Sequence, residues 1–295
     1  MSEFGAMRSA RLRGFCAALL ALASVGLAGS AQAQRSAAPP VVVQPAPPVA
    51  TFADLAELTE QADLVALIEV RSQAVVKPER APGLAPGHAR LYVEARTQAL
   101  LAGRAALGES LAYLADVPLD AKGRPPKLKK QRFILFADRV AGRPGELRLV
   151  DPAAQVPATP ETERLARTVI AAFAVADAPP APTGIRDVMS VAGNLTGESE
   201  TQLFLETATG QPASLTVIRR PGMEPQWGVS WSEIVDQAAR PPVPATIEWY
   251  RLACFLPPRL PRDAFLQDDR AAHARAEADY GYILAQLGGC PRIRT

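Results

Sequence analysis

The feature that most constrains the fold is a strict alternation of apolar and polar side chains in residues 90–101, RLYVEARTQALL. Leu91 and Val93 fall on one face of an extended chain, and Tyr92 and Glu94 fall on the other. A period of two residues is typical of a β-strand with one buried face. The segment therefore predicts a long, half-buried strand.

Four more strand-like segments accompany it in the first half of the chain. They are residues 64–70, 110–117, 132–137 and 146–151. A helix is predicted on each side of the set. Thr51 is a candidate N-cap with Asp54 in the first turn, and Thr159 is a second N-cap with Pro160 at the first helical position. Five strands of this length favour a small barrel.

Three of these elements carry a resemblance to a known family. They are ADLVALIEV (62–70), the long strand ending in ALLAG (99–103), and RFILFA (132–137) after a basic turn. In this order, residues 60–150 resemble a netrin-like module of the OB-fold type, as in the tissue inhibitors of metalloproteinases. In those inhibitors a free N-terminal cysteine engages the protease metal. The corresponding half of this chain has no cysteine, so the resemblance implies the fold and not the inhibitory function.

The second half begins after a proline-rich segment at 177–184, DAPPAPTG, which predicts a boundary. Strands are predicted at 186–192, 201–207, 214–219 and 226–231. The aromatic segment 247–257, IEWYRLACFLP, is interpreted as a further, apolar strand. A last helix is predicted from about Pro261 to Leu287, with Gly288 and Gly289 as its stop.

The predicted fold class is therefore α+β. A small five-stranded OB-like barrel with flanking helices is expected at 51–176, followed by a linker at 177–184. An antiparallel β-sheet region packed by a C-terminal helix is expected at 185–295.

The N-terminal segment predicts export. Glu3-Phe4 is what an EcoRI cloning site encodes, so residues 1–6 are interpreted as a cloning remnant. Residues 7–33 have the basic start, apolar stretch and Ala31-Gln32-Ala33 end of a signal peptide, with cleavage expected near Ala33. Residues 34–50 form a proline-rich linker. The predicted location is periplasmic or secreted.

Two cysteines, Cys254 and Cys290, follow the predicted cleavage site. An even pair in an exported chain predicts a disulfide. Free or metal-binding thiols are the alternative.

A basic cluster lies at 122–132, KGRPPKLKKQR. One interpretation is an anion-binding segment that contacts phosphates or an anionic envelope polymer. The other is a solvated loop that protects a strand edge from aggregation. Export and the missing aromatic residues argue against nucleic acid. The candidate anion-binding residues are Lys122, Arg124, Lys127, Lys129, Lys130 and Arg132.

Histidine chemistry has few candidates, because the chain contains only His88 and His273. Asp269, His273 and Glu277 share one helical face by their spacing, which makes them a weak candidate metal site. The alternative is a surface stripe of charge pairs, continued by Arg275 with Asp279. No metal and no cofactor are expected.

The candidate catalytic groups do not assemble in the sequence. Ser230 and Ser232 lie in GVSWSE, which lacks the second glycine of a nucleophile elbow. The carboxylates Glu198, Glu200 and Glu206 lie near one hairpin without a spacing that selects a pair.

These observations favour an exported, non-catalytic binding, scaffolding or envelope-accessory protein. The expected partner is an envelope protein or an anionic envelope polymer, and the mature chain is expected to have no transmembrane segment. The alternative is a periplasmic hydrolase whose site is assembled only in three dimensions.

Overall fold

A closed barrel forms the first half of the structure, a computed structural model that describes residues 49–232 and 239–294. Five strands close in the order β1-β2-β3-β5-β4-β1, and a short sixth strand pairs with β4. Only the β3–β5 pairing is parallel. The predicted OB-like barrel is thereby confirmed. The strands are β1 (Leu64–Val75), β2 (His88–Gly103), β3 (Ser110–Pro118), β4 (Arg132–Arg139), β5 (Glu146–Leu149) and β6 (Gln155–Pro157).

The barrel closes because β1 is shared by two neighbours. Its first half pairs with β4, where Leu64 faces Ala137, while its whole length pairs with β2. A register shift between Val70 and Ser72 bends the strand, as β-bulges do. Alternate residues of the strands point inward and fill the interior, as the alternation in β2 predicts.

A second, antiparallel sheet has the order β7-β8-β9-β10. The four strands agree with the predicted segments, and the β8–β9 hairpin turns at ATGQP as expected. They are β7 (Pro182–Ala192), β8 (Ser199–Thr207), β9 (Ala213–Arg219) and β10 (Gln226–Ser230).

Helices pack beside both sheets. The Thr51 hydroxyl accepts a hydrogen bond from the Asp54 amide while the Asp54 carboxylate accepts one from the Thr51 amide, so a complete capping box begins the first helix. Thr159 caps the second helix with Pro160 at its first position, also as predicted. The helices described are α1 (Phe52–Gln61), α2 (Pro160–Phe173), α3 (Ile247–Phe255) and α4 (Arg270–Leu287).

The prediction of a strand at 247–257 is wrong, because residues 247–255 form helix α3. Thr246 caps this helix by accepting a hydrogen bond from the Trp249 amide at 3.3 Å. The segment is buried on several sides, so it shows no polar face from which a helical period could be recognised. A short apolar run of this kind is compatible with a buried strand or a buried helix.

The last helix also begins later than predicted. Residues 262–264 form a single 3-10 turn after Pro261, and α4 starts only at Arg270. The Asp269 carboxylate accepts hydrogen bonds from the amides of Ala271 and Ala272, at 3.2 and 2.9 Å, and so fixes the start of α4.

The barrel and the second sheet bury a common hydrophobic core. Val65 and Phe136 point outward from the barrel into this core, and Leu203 and Leu215 reach it from the second sheet. Helices α1, α2 and α3 contribute the side chains between them. The division into parts at 51–176 and 185–295 stays a prediction about separate domains.

The side chain of Arg251 is buried next to this core. The Arg251 guanidinium donates to both carboxylate oxygens of Glu60 on α1, at 2.8 and 3.0 Å, and to the Pro179 carbonyl at 2.8 Å. It also lies 5.4 to 5.7 Å from the ring centres of Phe173, Tyr250 and Phe255. Burial, together with the charge of Glu60, raises the pKa of Tyr250 to about 12. Arg251 therefore joins α1, α2, α3 and the 177–184 linker.

A disulfide joins Cys254 at the end of α3 to Cys290 after α4, with Cα atoms 5.0 Å apart. Beyond it, Arg294 pairs with Asp151 of the barrel half at 3.1 Å, and Arg292 pairs with Glu57 of α1. The C-terminal segment thus reaches back to the first half of the chain.

We expect Glu60→Gln to lower the free energy of unfolding by about 2 kcal/mol, because the buried Arg251 would lose its counter-charge. The Glu60 side chain is 36% exposed, so the effect is smaller than for a fully buried pair. Urea unfolding measures the change. Glu57→Gln is the matched control on the same helix. Its partly exposed pair with Arg292 should contribute less than about 1 kcal/mol. Equal losses in the two variants would contradict the central role of Arg251.

The disulfide closes a loop with a sequence separation of 36 residues. On the chain-entropy model, its loss in a Cys254→Ala/Cys290→Ala variant should cost about 4 kcal/mol. Urea unfolding of the wild type and of the variant measures this cost. Alkylation of the unreduced, unfolded mature protein, which lacks Cys16 of the predicted signal peptide, followed by intact-mass measurement should detect no free thiol. Two alkylated cysteines would show that the bond does not form.

Candidate binding surface on the barrel

The outward side chains of β2 and β3 form an exposed row on the barrel wall. Because Leu91 and Tyr113 point into the barrel, their neighbours Tyr92 and Leu114 point outward. The strand register pairs Ala74 with Tyr92, and Tyr92 with Leu114. Tyr92 is 40% exposed and Leu114 is 48% exposed. Two large apolar side chains therefore lie together on the surface.

This row lies in a groove of about 870 Å³. The end of β1, the outer faces of β2 and β3, and residues 140–152 around β5 form its walls. Lys77, Arg80, Arg143 and Arg148 also line it, and all four are exposed. The groove thus combines an apolar strip with cationic side chains.

Each carboxylate that lines the groove is paired with an arginine. Asp116 receives two hydrogen bonds from Arg90, at 2.7 and 2.8 Å. This contact raises the pKa of Arg90 above its ordinary value. Glu146 pairs with Arg143 at 3.1 Å, and Asp151 pairs with Arg294 at 3.1 Å. None of the three carboxylates is therefore a free general base.

Tyr113 borders the groove from the barrel interior. Its hydroxyl donates to the Gln155 side chain at 2.6 Å, and burial raises its pKa above the ordinary range of tyrosine. It stays a neutral, hydrogen-bonded phenol at physiological pH.

The basic segment 122–132 is anchored to the end of the same barrel. Leu128 is 4% exposed and belongs to the barrel core, so it plugs this end. The Gln73 amide donates to the Pro126 carbonyl at 2.8 Å and accepts from the Leu128 amide at 2.5 Å. The Lys130 amide donates to the Val70 carbonyl at 2.8 Å. The segment is an ordered loop with a defined backbone position.

Lys130 occupies an unusual backbone conformation. Its φ is 69°, in the left-handed region that costs a residue with a β-carbon about 1–2 kcal/mol. The Gln131 amide bonds to the Leu128 carbonyl at 2.8 Å, which makes Lys130 the third residue of a tight turn. Glycine is the residue favoured at such a position. A lysine is held here at a cost in stability.

The six candidate anion-binding residues divide into two groups. Arg124 pairs with Asp120 at 2.9 Å, and Arg132 pairs with Glu163 at 2.7 Å. The Arg124 contacts also lower the pKa of Asp120. The remaining four, Lys122, Lys127, Lys129 and Lys130, are exposed, and no described carboxylate lies within ion-pair distance of them.

The structure does not bring the candidate metal ligands Asp269, His273 and Glu277 together as one ligand set. Asp269 caps α4, and hydrogen bonds from two backbone amides lower its pKa. His273 stacks on Phe265 with ring centres 4.0 Å apart and its Nε2 contacts the Gln267 carbonyl, while Glu277 is exposed. Within residues 49–232 and 239–294, no group of three or more His, Cys, Asp or Glu side chains could hold a metal ion.

The surface charge pair predicted between Arg275 and Asp279 is wrong. Asp279 is fully buried on the side of α4 that faces the second sheet. Its carboxylate accepts hydrogen bonds from Arg219 and Thr201, each at 2.5 Å. The Arg275 guanidinium instead donates a hydrogen bond to the Ser190 carbonyl at 3.3 Å. The helical spacing was correct, but the register of α4 on the sheet could not be read from spacing alone.

The other candidate catalytic groups do not converge on the groove. The hydroxyl oxygens of Ser230 and Ser232 lie 3.2 Å apart at the end of β10. Glu198 and Glu200 contact the Leu195 amide and the Gln202 amide group, respectively. His88 contacts the Pro86 carbonyl in its own loop. The groove itself escaped the sequence reasoning, because its Tyr92–Leu114 row depends on the pairing register of two strands.

Comparison with models of protein families found no match for this chain, and a search of curated proteins found no relative. In the part of the chain that the structure describes, no helix combines the length and apolar character needed to cross a membrane.

Lys130→Gly should raise the free energy of unfolding by about 1 kcal/mol, because it removes the left-handed strain at a site where glycine fits. Lys129→Gly is the matched control. Its backbone is not left-handed, so added freedom of the unfolded chain should make it destabilising. Urea unfolding of both variants tests the assignment, and a stability loss in Lys130→Gly would contradict it.

Proposed function

We propose that this chain is an exported, non-catalytic binding protein that holds a segment of a partner envelope protein in the groove of its OB-like barrel. The observation that carries the proposal is the exposed Tyr92–Leu114 row inside a groove of about 870 Å³. Paired exposed apolar side chains in a concave surface mark interaction sites. OB-type barrels also commonly bind ligands on the face formed by their second and third strands.

The charges around the row favour an acidic partner segment. Lys77 and Arg80 line the groove without an ion-pair partner among the described residues, while the groove's carboxylates are already paired with arginines. A partner with apolar side chains and nearby carboxylates would cover the row and pair with these cations. Such complementarity sets specificity and association rate.

The lining of the groove argues against a hydrolase. Among the described residues that line it there is no serine, threonine, cysteine or histidine, and the three carboxylates among them are ion-paired. Hydrolysis without a metal requires a nucleophile or a general base within reach of the substrate. No serine, cysteine or histidine is described in the lining for either role, and no described carboxylate lies within ion-pair distance of Lys77. Binding is the function that this chemistry supports best.

We expect Leu114→Asp to reduce partner recovery at least tenfold, because it places a charge in the apolar centre of the interface. The measurement is a pull-down from envelope fractions with wild-type and variant protein. Val191→Asp is the matched control, since Val191 is a 50% exposed apolar residue on β7, outside the groove.

A photo-crosslinker at position 92 then identifies where the partner lies. Adducts from position 92 and none from position 191 would support the proposal. Equal recovery by Leu114→Asp and wild type, or equal crosslinking at the two positions, would refute it.

A further inference from the structure

The fold gathers all five lysines of the chain at one end of the barrel. Four of them lie in the basic segment, and the fifth, Lys77, stands 45 positions before the first of these in the sequence. Strand β1 ends at Val75, and β4 begins at Arg132. Because β1 and β4 are antiparallel, with Glu69 facing Arg132, these two points lie at the same end of the barrel. We call this surface, made of Lys77, Lys122, Lys127, Lys129 and Lys130, the lysine end.

The lysine end carries a strong excess of positive charge. Its two connections, residues 76–87 and 119–131, contain only two acidic residues, Glu79 and Asp120. Asp120 is already paired with Arg124. All five lysines are exposed, and no described carboxylate lies within ion-pair distance of them.

The structure holds the backbone of the basic segment in one position. Leu128 is buried in the barrel between Lys127 and Lys129, and the Gln73 side chain bonds to the backbone on both sides of Lys127. The left-handed backbone of Lys130 adds a position where glycine would be more stable. Exposed, unpaired lysines on an ordered backbone, one of them at a strained position, indicate a surface kept for interaction rather than for stability.

We propose that the lysine end docks the protein electrostatically on an anionic phospholipid membrane. Its lysines do not converge on a small ligand, because the groove beside them includes Lys77 and none of the other four. Their two connections contain no aromatic residue for stacking on bases. Lysine ammonium groups are point charges that need no fixed geometry at the phosphate. An exposed end with dispersed point charges fits a plane of anionic headgroups better than a single anion.

The groove of the proposed function lies on the side wall of the barrel and shares only Lys77 with the lysine end. The other four lysines lie outside the groove, so variants of these four test the membrane contact separately from the groove. Docking through the end of the barrel would leave Tyr92 and Leu114 on that wall accessible. A protein held in this way would present its groove next to the membrane surface.

Cosedimentation with vesicles tests the proposal. The wild-type protein should bind vesicles of equal parts phosphatidylglycerol and phosphatidylcholine at low salt and not vesicles of phosphatidylcholine alone. Binding should disappear at about 0.5 M salt, where the Debye length falls to a few ångströms. Each lysine near an anionic surface contributes roughly a fivefold factor in affinity. Replacing Lys122, Lys127, Lys129 and Lys130 together by glutamine should therefore lower binding about a hundredfold or more.

Two matched variants show whether a loss of binding comes from the lysine end itself, from the lower net charge or from misfolding. Replacing the exposed arginines Arg104, Arg167, Arg220 and Arg259 by glutamine removes the same charge elsewhere and should leave binding nearly unchanged. Replacing the four lysines by arginine keeps the charge and should retain binding.

Three results would overturn the proposal. The first is a wild-type protein that does not bind the anionic vesicles at low salt. The second is an equal loss of binding in the glutamine variants of the lysines and of the arginines. The third is tighter binding to soluble polyphosphate than to the vesicles, which would assign the surface to a free polyanion.

Discussion

The packing of this protein depends on one buried charge, the guanidinium of Arg251. It is held by a carboxylate of α1, a carbonyl of the linker and three aromatic rings. Three regions distant in sequence therefore meet at one group: α1, the end of α2 with the linker, and α3. A buried cation must be fully paired, because a missing partner leaves it desolvated and uncompensated. This requirement fixes where α3 lies relative to α1, and hence how the second sheet packs on the barrel.

The same helix explains how the C-terminal segment is fixed. Trp249, one turn before Cys254, donates its indole N–H to the Leu287 carbonyl at 2.9 Å, at the end of α4. The disulfide then joins the two helices a few residues farther on. With α3 fixed by Arg251, the segment after α4 is directed back across α1 to the barrel. The aromatic and cysteine-containing segment therefore acts in packing, and the two surfaces proposed for binding lie elsewhere.

Sequence reasoning predicted those parts of the fold that depend on local periodicity and capping. The alternation in 90–101, the capping residues Thr51 and Thr159, and the hairpin at ATGQP each carry their information within a few residues. It was wrong for α3, because burial on several sides removes the polar face that reveals a helix. The prediction that Asp279 is exposed was wrong, because the burial of a helical residue depends on which face of the helix packs on the sheet. The candidate site escaped for a related reason, since Tyr92 and Leu114 become neighbours only through strand register.

Both surfaces follow from the topology of the barrel. The strand order places the β1–β2 and β3–β4 connections at one end, which brings Lys77 to the four lysines of the second connection. It also places the outer faces of β2 and β3 side by side, which creates the apolar row. Along the groove and in the basic segment, every arginine except Arg80 pairs with a described carboxylate. The five lysines have no such partner, and one of them, Lys77, belongs to both surfaces. Because arginine forms directed, two-pronged contacts and lysine a point charge, the paired arginines fit a structural role and the unpaired cations fit the two proposed interactions. Under these proposals, the side wall of the barrel binds a shaped ligand and its end binds a diffuse negative charge.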